Sequence, residues 1–402
     1  MKSLKELLIS GPGPSSSHTI GPFRICKRFM EENQGKEVNE YVITLYGSLA
    51  LTGKGHSTDE IILDAFKPNK CTVLFQPSFN GLRHPNTMDC KAIYKDGSSL
   101  TRRFLSVGGG AYVEEGEAYK GNNCYPFSTF DGLKSFMKQK QIDDIYEVIK
   151  MLDSEDIFEY GKKMLKQSFK TVEDSLQKEG ILPGPLQLDR VAKKVYLSSK
   201  RISDKAERRT LMLTAYAYAT SEANANHEMM VTAPTCGAAG VVPSCLYYEY
   251  KNHHATMEQL VKAYLVGALI CNFIKENASV SGALLGCQAE IGSAASFAAA
   301  SLSYLHALSV FQIEYASEVA MEHFLGLTCD PVDGYVQIPC IERNAIASIH
   351  AYTSYLFAQD IALFRRNKVS FDNVIQAMKE TGKVLPVELK ETSLGGLAKI
   401  IC

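Results

Sequence analysis

The reactive side chains of this chain fall in a few short runs. In Gly11-Pro12-Gly13-Pro14-Ser15-Ser16-Ser17-His18-Thr19-Ile20-Gly21-Pro22, five hydroxyl or imidazole side chains stand in a row between glycines and prolines. Such a frame holds the backbone in turns and leaves N–H groups free to face an anion, so a carboxylate suits the pocket it would form. A disordered serine-rich loop has a similar composition, but the embedded His18 and the flanking prolines argue against it. A second run, Tyr46-Gly47-Ser48-Leu49-Ala50-Leu51-Thr52-Gly53-Lys54-Gly55-His56-Ser57-Thr58-Asp59, follows a β-branched segment. It lacks the spacing of a phosphate loop, because Gly53-Lys54 is followed by Gly55 and not by Ser or Thr, and nucleotide binding is rejected. What remains is a turn with Lys54, His56 and Asp59, all candidates for proton transfer near neutral pH. Gly108-Gly109-Gly110 has the look of a pyridoxal phosphate cradle, but no convincing Schiff-base lysine accompanies it, and a tight turn is expected.

The cysteines number eleven, an odd count in a long chain, and structural disulfides are not expected. Cys26, Cys71, Cys90, Cys124, Cys245 and Cys271 read as small hydrophobes in apolar surroundings. Cys236 lies in Val231-Thr232-Ala233-Pro234-Thr235-Cys236-Gly237-Ala238-Ala239-Gly240, a small-residue loop whose backbone can come close to a ligand. Cys287, Cys329 and Cys340 occur in Gly286-Cys287-Gln288-Ala289-Glu290, Leu327-Thr328-Cys329-Asp330-Pro331 and Ile338-Pro339-Cys340-Ile341-Glu342-Arg343-Asn344, and Cys402 is the last residue. Cys329 and Cys340 form no Cys-x-x-Cys pair and have no nearby His, which argues against a zinc finger. Spacing alone leaves an iron–sulfur site open beside inert thiols.

The elements that must position these runs divide the chain in two. Tyr41–Tyr46, Thr72–Phe75 and Phe104–Val107 read as strands, with short helices over Ser48–Gly53 and Ser57–Phe66 between them. From Asp153 the pattern turns helical, with Asp153 as a cap and Ile157, Tyr160, Met164 and Phe169 at near-helical spacing. Gly180–Pro185 is the sharpest break and reads as a connector. A helical stripe runs through Ile341, Ala345, Ile349, Tyr352 and Leu356, and the small-residue stretch Ser293–Ala300 suits the packed centre of a bundle. The expected fold is α+β: a small N-terminal α/β domain over residues 1–150, then an all-helical domain over 151–402.

Composition excludes several classes. The 402 residues are 46% hydrophobic and 22% charged, ordinary for a globular chain and long enough for two or three domains. With 43 Lys+Arg against 44 Asp+Glu, the net charge of −1 gives no basic surplus for nucleic acid or an anionic membrane. The apolar stretch Ala263–Ile274 falls short of the ~20 residues of a spanning helix. Leu7-Leu8-Ile9 is too short for a signal-peptide core, so the expected location is the cytoplasm.

Taken together, Gly13–Thr19, Leu45–His56, Thr232–Thr235 and the three cysteine segments resemble, in order and over nearly the whole chain, the bacterial iron–sulfur L-serine dehydratase family in its single-chain form. The resemblance implies an effector-like N-terminal domain, an all-helical catalytic domain and a [4Fe–4S] cluster held by Cys287, Cys329 and Cys340. Three thiolates on four irons leave one iron open as a Lewis acid for the hydroxyl of L-serine, which would yield pyruvate and ammonia. It further implies His56 or His18 as the base, with Lys54 behind them. Ser15, Ser16, Ser17, Thr235 and Arg343 would hold the substrate, and Cys402 would fold back on the open iron at rest. The family also implies a homodimer. Two departures stand out: Cys236 occupies a position where relatives often place Asn, and Ala289 one where they place Gly. Competing readings are a threonine dehydratase or cysteine desulfidase of the same chemistry, a cluster sensor without turnover, and a pyridoxal phosphate dehydratase.

Overall fold

The computed structural model describes residues 1–78, 80–117 and 123–401. Its first part is a five-stranded sheet in the order Cys71–Gln76, Val38–Tyr46, Thr87–Tyr94, Ser99–Gly108, Ala111–Glu114. Val38–Tyr46 pairs parallel with Cys71–Gln76, and the remaining neighbours pair antiparallel. A parallel pair needs a crossover, which the helix Thr58–Phe66 supplies. Along Val38–Tyr46 every second residue points inward, so Tyr41, Ile43 and Leu45 meet Ile25 and Phe29 of the helix Gly21–Glu32 and Ile62 and Phe66 of the crossover helix. The expected strands and helices are present, each reaching a few residues further or stopping short. Gly108, Gly109 and Gly110 all have positive φ and make the tight turn between the last two strands, as their sequence suggested.

The rest of the chain is mostly helical, in agreement with the α+β reading. The Ala/Ser-rich helix Ile291–Leu305 lies at the centre and packs on Met257–Asn277, Val310–Glu322 and Cys340–Asp360. Small residues permit this closeness. A Cβ on Gly267 would come within 2.4 Å of the Phe297 carbonyl, so only glycine fits where the first two helices touch. Met257–Asn277 has the length and composition to cross a bilayer, but 78% of its apolar window is buried inside the protein. Asp153 does not start the next helix as its sequence context suggested: it ends the helix Ile145–Leu152, and Asp156 stands at the N-cap of Ile157–Ser175. The Asp153 carboxylate instead accepts hydrogen bonds from Ser3 Oγ, the Leu4 N–H and Tyr125 OH. Local spacing could not show this, because those partners come from distant parts of the chain.

One feature of the path decides where the site forms. Leu4, Leu7 and Leu8 are buried in the helical core, and Ser10–Pro12 pairs antiparallel with Met229–Val231. Thr232 Oγ1 accepts from the Ile9 N–H and donates to the Leu7 carbonyl, reinforcing that seam. The chain therefore starts in the helical body and crosses to the sheet through Pro14–Ile20. The serine-histidine run lies on this crossing.

Candidate active site

Ser15 caps a short turn over Ser16–Ile20 that runs into the helix Gly21–Glu32, and its Oγ accepts from the His18 N–H at 3.2 Å. Asn224 Nδ2 of the helical body donates to the Pro14 carbonyl, and Ser106 Oγ of the sheet donates to the Ser17 carbonyl, so both parts of the protein hold the turn. Ser15, Ser16, Ser17 and His18 are all buried.

The His18 ring is enclosed on both sides. Its Nδ1 lies 2.9 Å from Ser17 Oγ and 3.3 Å from Glu391 Oε1. Its Nε2 lies 2.9 Å from Thr52 Oγ1 and 3.2 Å from Ser48 Oγ. Each of these three hydroxyls already donates elsewhere: Ser17 to Glu391 Oε1, Thr52 to the Ser48 carbonyl, and Ser48 to the Glu391 carbonyl. Both ring nitrogens are thus taken up by these neighbours, with Nδ1 at ion-pair distance from Glu391. Burial works against the Glu391 charge, yet the neighbouring His18 holds its carboxyl down at about 2.

His56 stacks on His18 with ring centroids 4.4 Å apart. Its Nδ1 donates to the Thr52 carbonyl at 2.8 Å, which leaves Nε2 as the lone-pair nitrogen. Burial, then the adjacent His18, lower its pKa to about 3, so this ring is neutral. The two histidines paired by sequence are brought together, but with opposite characters. Lys54 is not part of the group: its side chain is 72% exposed, pairs with Asp59 and lies over the Phe75 ring.

The cysteine segments are stitched to this network and to each other. The Cys329 N–H donates to the Leu389 carbonyl at 2.8 Å and the Glu391 N–H to the Cys329 carbonyl at 2.7 Å. Glu391 itself has φ +56°, a strained conformation for a non-glycine residue, held by bonds on its N–H, its carbonyl and its carboxylate. Gly286 has φ +78°, and a Cβ there would lie 2.8 Å from the Leu327 carbonyl. Gln288 is fully buried; its Nε2 donates to the Leu285 and Met378 carbonyls and its Oε1 accepts from the Gly326 N–H. These contacts fix the Cys287 turn against the loop that carries Cys329. Asn344, in the first turns of the helix Cys340–Asp360, bonds the Gly237 carbonyl and the Gly240 N–H and so brings the Cys236 loop alongside.

Donor atoms of Cys287, Glu290 and Cys329 lie within 4.8 Å of one another, a candidate metal-binding group. A hydrogen bond from Cys329, with help from the Arg343 guanidinium, brings the Cys287 thiol down to about 7 against its burial, while the same bond pushes the Cys329 thiol up. Burial and the proximity of Cys287 also raise Cys340. Arg343 donates from Nη1 to the Thr328 carbonyl at 2.8 Å, lies 3.6 Å from Asp330, and is near enough to Cys287, Cys329 and Cys340 for their charges to act on it. Asp330 Oδ2 accepts from the Leu397 N–H, which seats the final helix Gly396–Ile401 beside the cysteines. Cys402 lies outside the described residues.

Cys236 is buried, and burial, then Glu290, raise its thiol pKa; Thr235 Oγ1 faces Glu290 without a well-formed hydrogen bond among the described residues. Glu290 and Glu391 were not singled out by their sequence. Glu290 had a usable signal, a carboxylate three residues after Cys287. Glu391, in Leu389-Lys390-Glu391-Thr392, had none, because the partners of its carboxylate and carbonyl are 343 to 374 residues away.

The family model of the serine dehydratase alpha chain matches residues 29–398. The chain belongs to that family. Relatives match along their full length: the L-serine dehydratase of Haemophilus influenzae is 36% identical over 461 aligned positions, covering 100% of both chains. L-serine dehydratase 1 of Escherichia coli is 35% identical with the same coverage, and the L-serine dehydratase of Helicobacter pylori is 37% identical over 99% of each chain. All the motifs of the site, from Ser15 to Glu391, lie within these aligned lengths.

Proposed function

We propose that this protein is an L-serine dehydratase that converts L-serine to pyruvate and ammonia, with a [4Fe–4S] cluster held by Cys287, Cys329 and Cys340. The observation that carries the reading is the pair of backbone hydrogen bonds from Leu389 through Cys329 to Glu391, which sets the thiols against the His18–His56 network. Full-length similarity to chains named L-serine dehydratase supports the substrate. The thiols suit the cluster: Cys287 and Cys329 are soft donors within 4.8 Å of each other, with the Glu290 carboxylate beside them and a guanidinium, Arg343, near enough to offset thiolate charge. When bound, such a cluster supplies a Lewis-acidic iron for the β-hydroxyl of serine.

The chain's own groups do the rest. His56, neutral and with Nε2 free to accept, is the base for the α-proton, and it serves only once substrate bound beside it raises its pKa from about 3 toward the working pH. His18 is a positioning residue: both its nitrogens are committed, and it holds Glu391 charged and in place. The Glu391 Oε2 and Thr235 Oγ1 atoms are buried without hydrogen-bond partners among the described residues, and they receive the substrate ammonium. The Ser15–Ser17 turn, with the Ser17 hydroxyl spent on Glu391, offers the Ser16 hydroxyl and its N–H groups to the carboxylate, with Arg343 completing its recognition from the cysteine side. Elimination of the hydroxyl gives an aminoacrylate, which hydrolyses to pyruvate and ammonia. Lys54 has no part in this chemistry. The protein acts in the cytoplasm as a homodimer, and the role of Cys402 as resting ligand of the open iron rests on the family resemblance alone.

The test is pyruvate release from L-serine by anaerobically purified protein, one half exposed to air before assay, with L-threonine and L-cysteine as comparators. Activity with serine that is lost in air is expected. Equal activity in both halves would refute the open-iron mechanism, and turnover of only threonine or cysteine would refute the substrate.

A further inference from the structure

A second cluster of metal-type donors lies in the helical body, away from the cysteines. Glu249, 1% exposed, sits in the last turn of the helix Val241–Asn252, and His253 is the residue that ends that helix. His306 ends the central helix Ile291–Leu305. The spacing of four residues puts Glu249 and His253 on one face, and stacking on Tyr355 at 4.7 Å orients the His306 ring. Glu249 Oε2 is 2.8 Å from His253 Nδ1 and 3.2 Å from His306 Nε2, and the three donor atoms lie within 4.8 Å of one another.

The hydrogen bonding of this cluster is incomplete. His306 Nε2 is buried and faces the carboxylate off the line of a hydrogen bond, and Glu249 Oε1 is buried without a partner among the described residues. A cation would meet both needs, since it takes the ring lone pair and neutralises the carboxylate. The backbone favours it too: both histidines stand at helix C-termini, where the last carbonyls carry partial negative charge.

We propose that Glu249, His253 and His306 form a binding site for a transition-metal dication of the zinc type. Two imidazoles and one carboxylate are a donor set zinc takes at three positions; tetrahedral ligands about 2.0–2.2 Å from one ion stand about 3.3–3.6 Å apart, so the donors, at 2.8 and 3.2 Å here, need move apart by only a few tenths of an ångström to take it. Two nitrogen donors disfavour magnesium and calcium, which prefer oxygen. The His253 and His306 side chains are 45% and 31% exposed, which leaves a path for the ion and room for a water as fourth ligand. The site clamps two helices together at their far ends. Val241–Asn252 and Ile291–Leu305 each begin beside the cysteine site, and at 1.5 Å per residue their last turns lie about 20 Å from it. The ion is structural and takes no part in serine turnover.

Zinc chloride is titrated into anaerobically purified holoenzyme, and bound zinc and iron are measured after equilibrium dialysis. The expected result is one more zinc per chain in the wild type than in His253→Ala/His306→Ala, at equal iron content, with zinc raising Tm in the wild type alone. Glu249→Gln, which keeps the shape of the buried side chain, should also lose the extra zinc, and His253→Ala, at an exposed ring, should keep full serine turnover without zinc. Equal zinc binding by wild type and variants would overturn the proposal, as would zinc uptake matched by loss of iron, which would place the metal on the cysteines.

Discussion

His56→Gln should change the pH dependence of stability in a way that can be worked out from the structure. Burial, then His18, hold the His56 pKa at about 3, against about 6.5 in the unfolded chain. Between these values the unfolded chain binds a proton that the folded protein refuses, so stability falls as pH drops below 6.5 and the loss is complete near pH 3. At 1.36 kcal/mol per pH unit, the penalty is about 2 kcal/mol at pH 5 and about 5 kcal/mol in full. Glutamine carries no such proton, and its side-chain amide can still donate to the Thr52 carbonyl. The assay is chemical unfolding of both proteins at pH 7.5 and 5.0. Wild type should lose about 2 kcal/mol more than the variant over that interval. His84, which burial lowers to about 4, contributes equally to both and cancels. Parallel losses in the two proteins would refute the assignment of His56 as a neutral ring.

Two further outcomes follow from the same geometry. Gln288→Ala removes hydrogen bonds at 2.7, 3.0 and 3.3 Å that lock the Cys287 turn to its neighbours. Leaving buried backbone groups unpaired costs about 1–3 kcal/mol each, so calorimetry should show a Tm lower by several degrees, and iron analysis a faster loss in air. Lys54→Ala should leave initial rates with L-serine within about twofold of wild type, because an exposed ion pair contributes little and the amine lies outside the buried network.

The sequence was informative wherever a signal is local. Alternation in Val38–Tyr46 and the helical stripe after Cys340 locate those elements, because side-chain period follows from backbone geometry alone. Glycines at Gly108–Gly110 mark a turn because positive φ demands them. His18, His56 and the three cysteines were legible as chemistry through residue type and company, and the family match, over residues 29–398, takes in the segments of His56 and the three cysteines.

Tertiary structure alone decided how these residues act. No local pattern could show that His18 is committed at both nitrogens while His56 keeps a free lone pair, since that depends on Ser48 and Thr52 of one short helix and Glu391 of the C-terminal segment converging on the ring. Nor could spacing reveal Glu391, which forms the site with partners hundreds of residues away, or remove Lys54, whose exposure follows from the direction of its turn. Residue type and spacing determine which reactions a chain can attempt. Burial and the proximity of charge, which set the protonation of each group, exist only once distant segments have packed together.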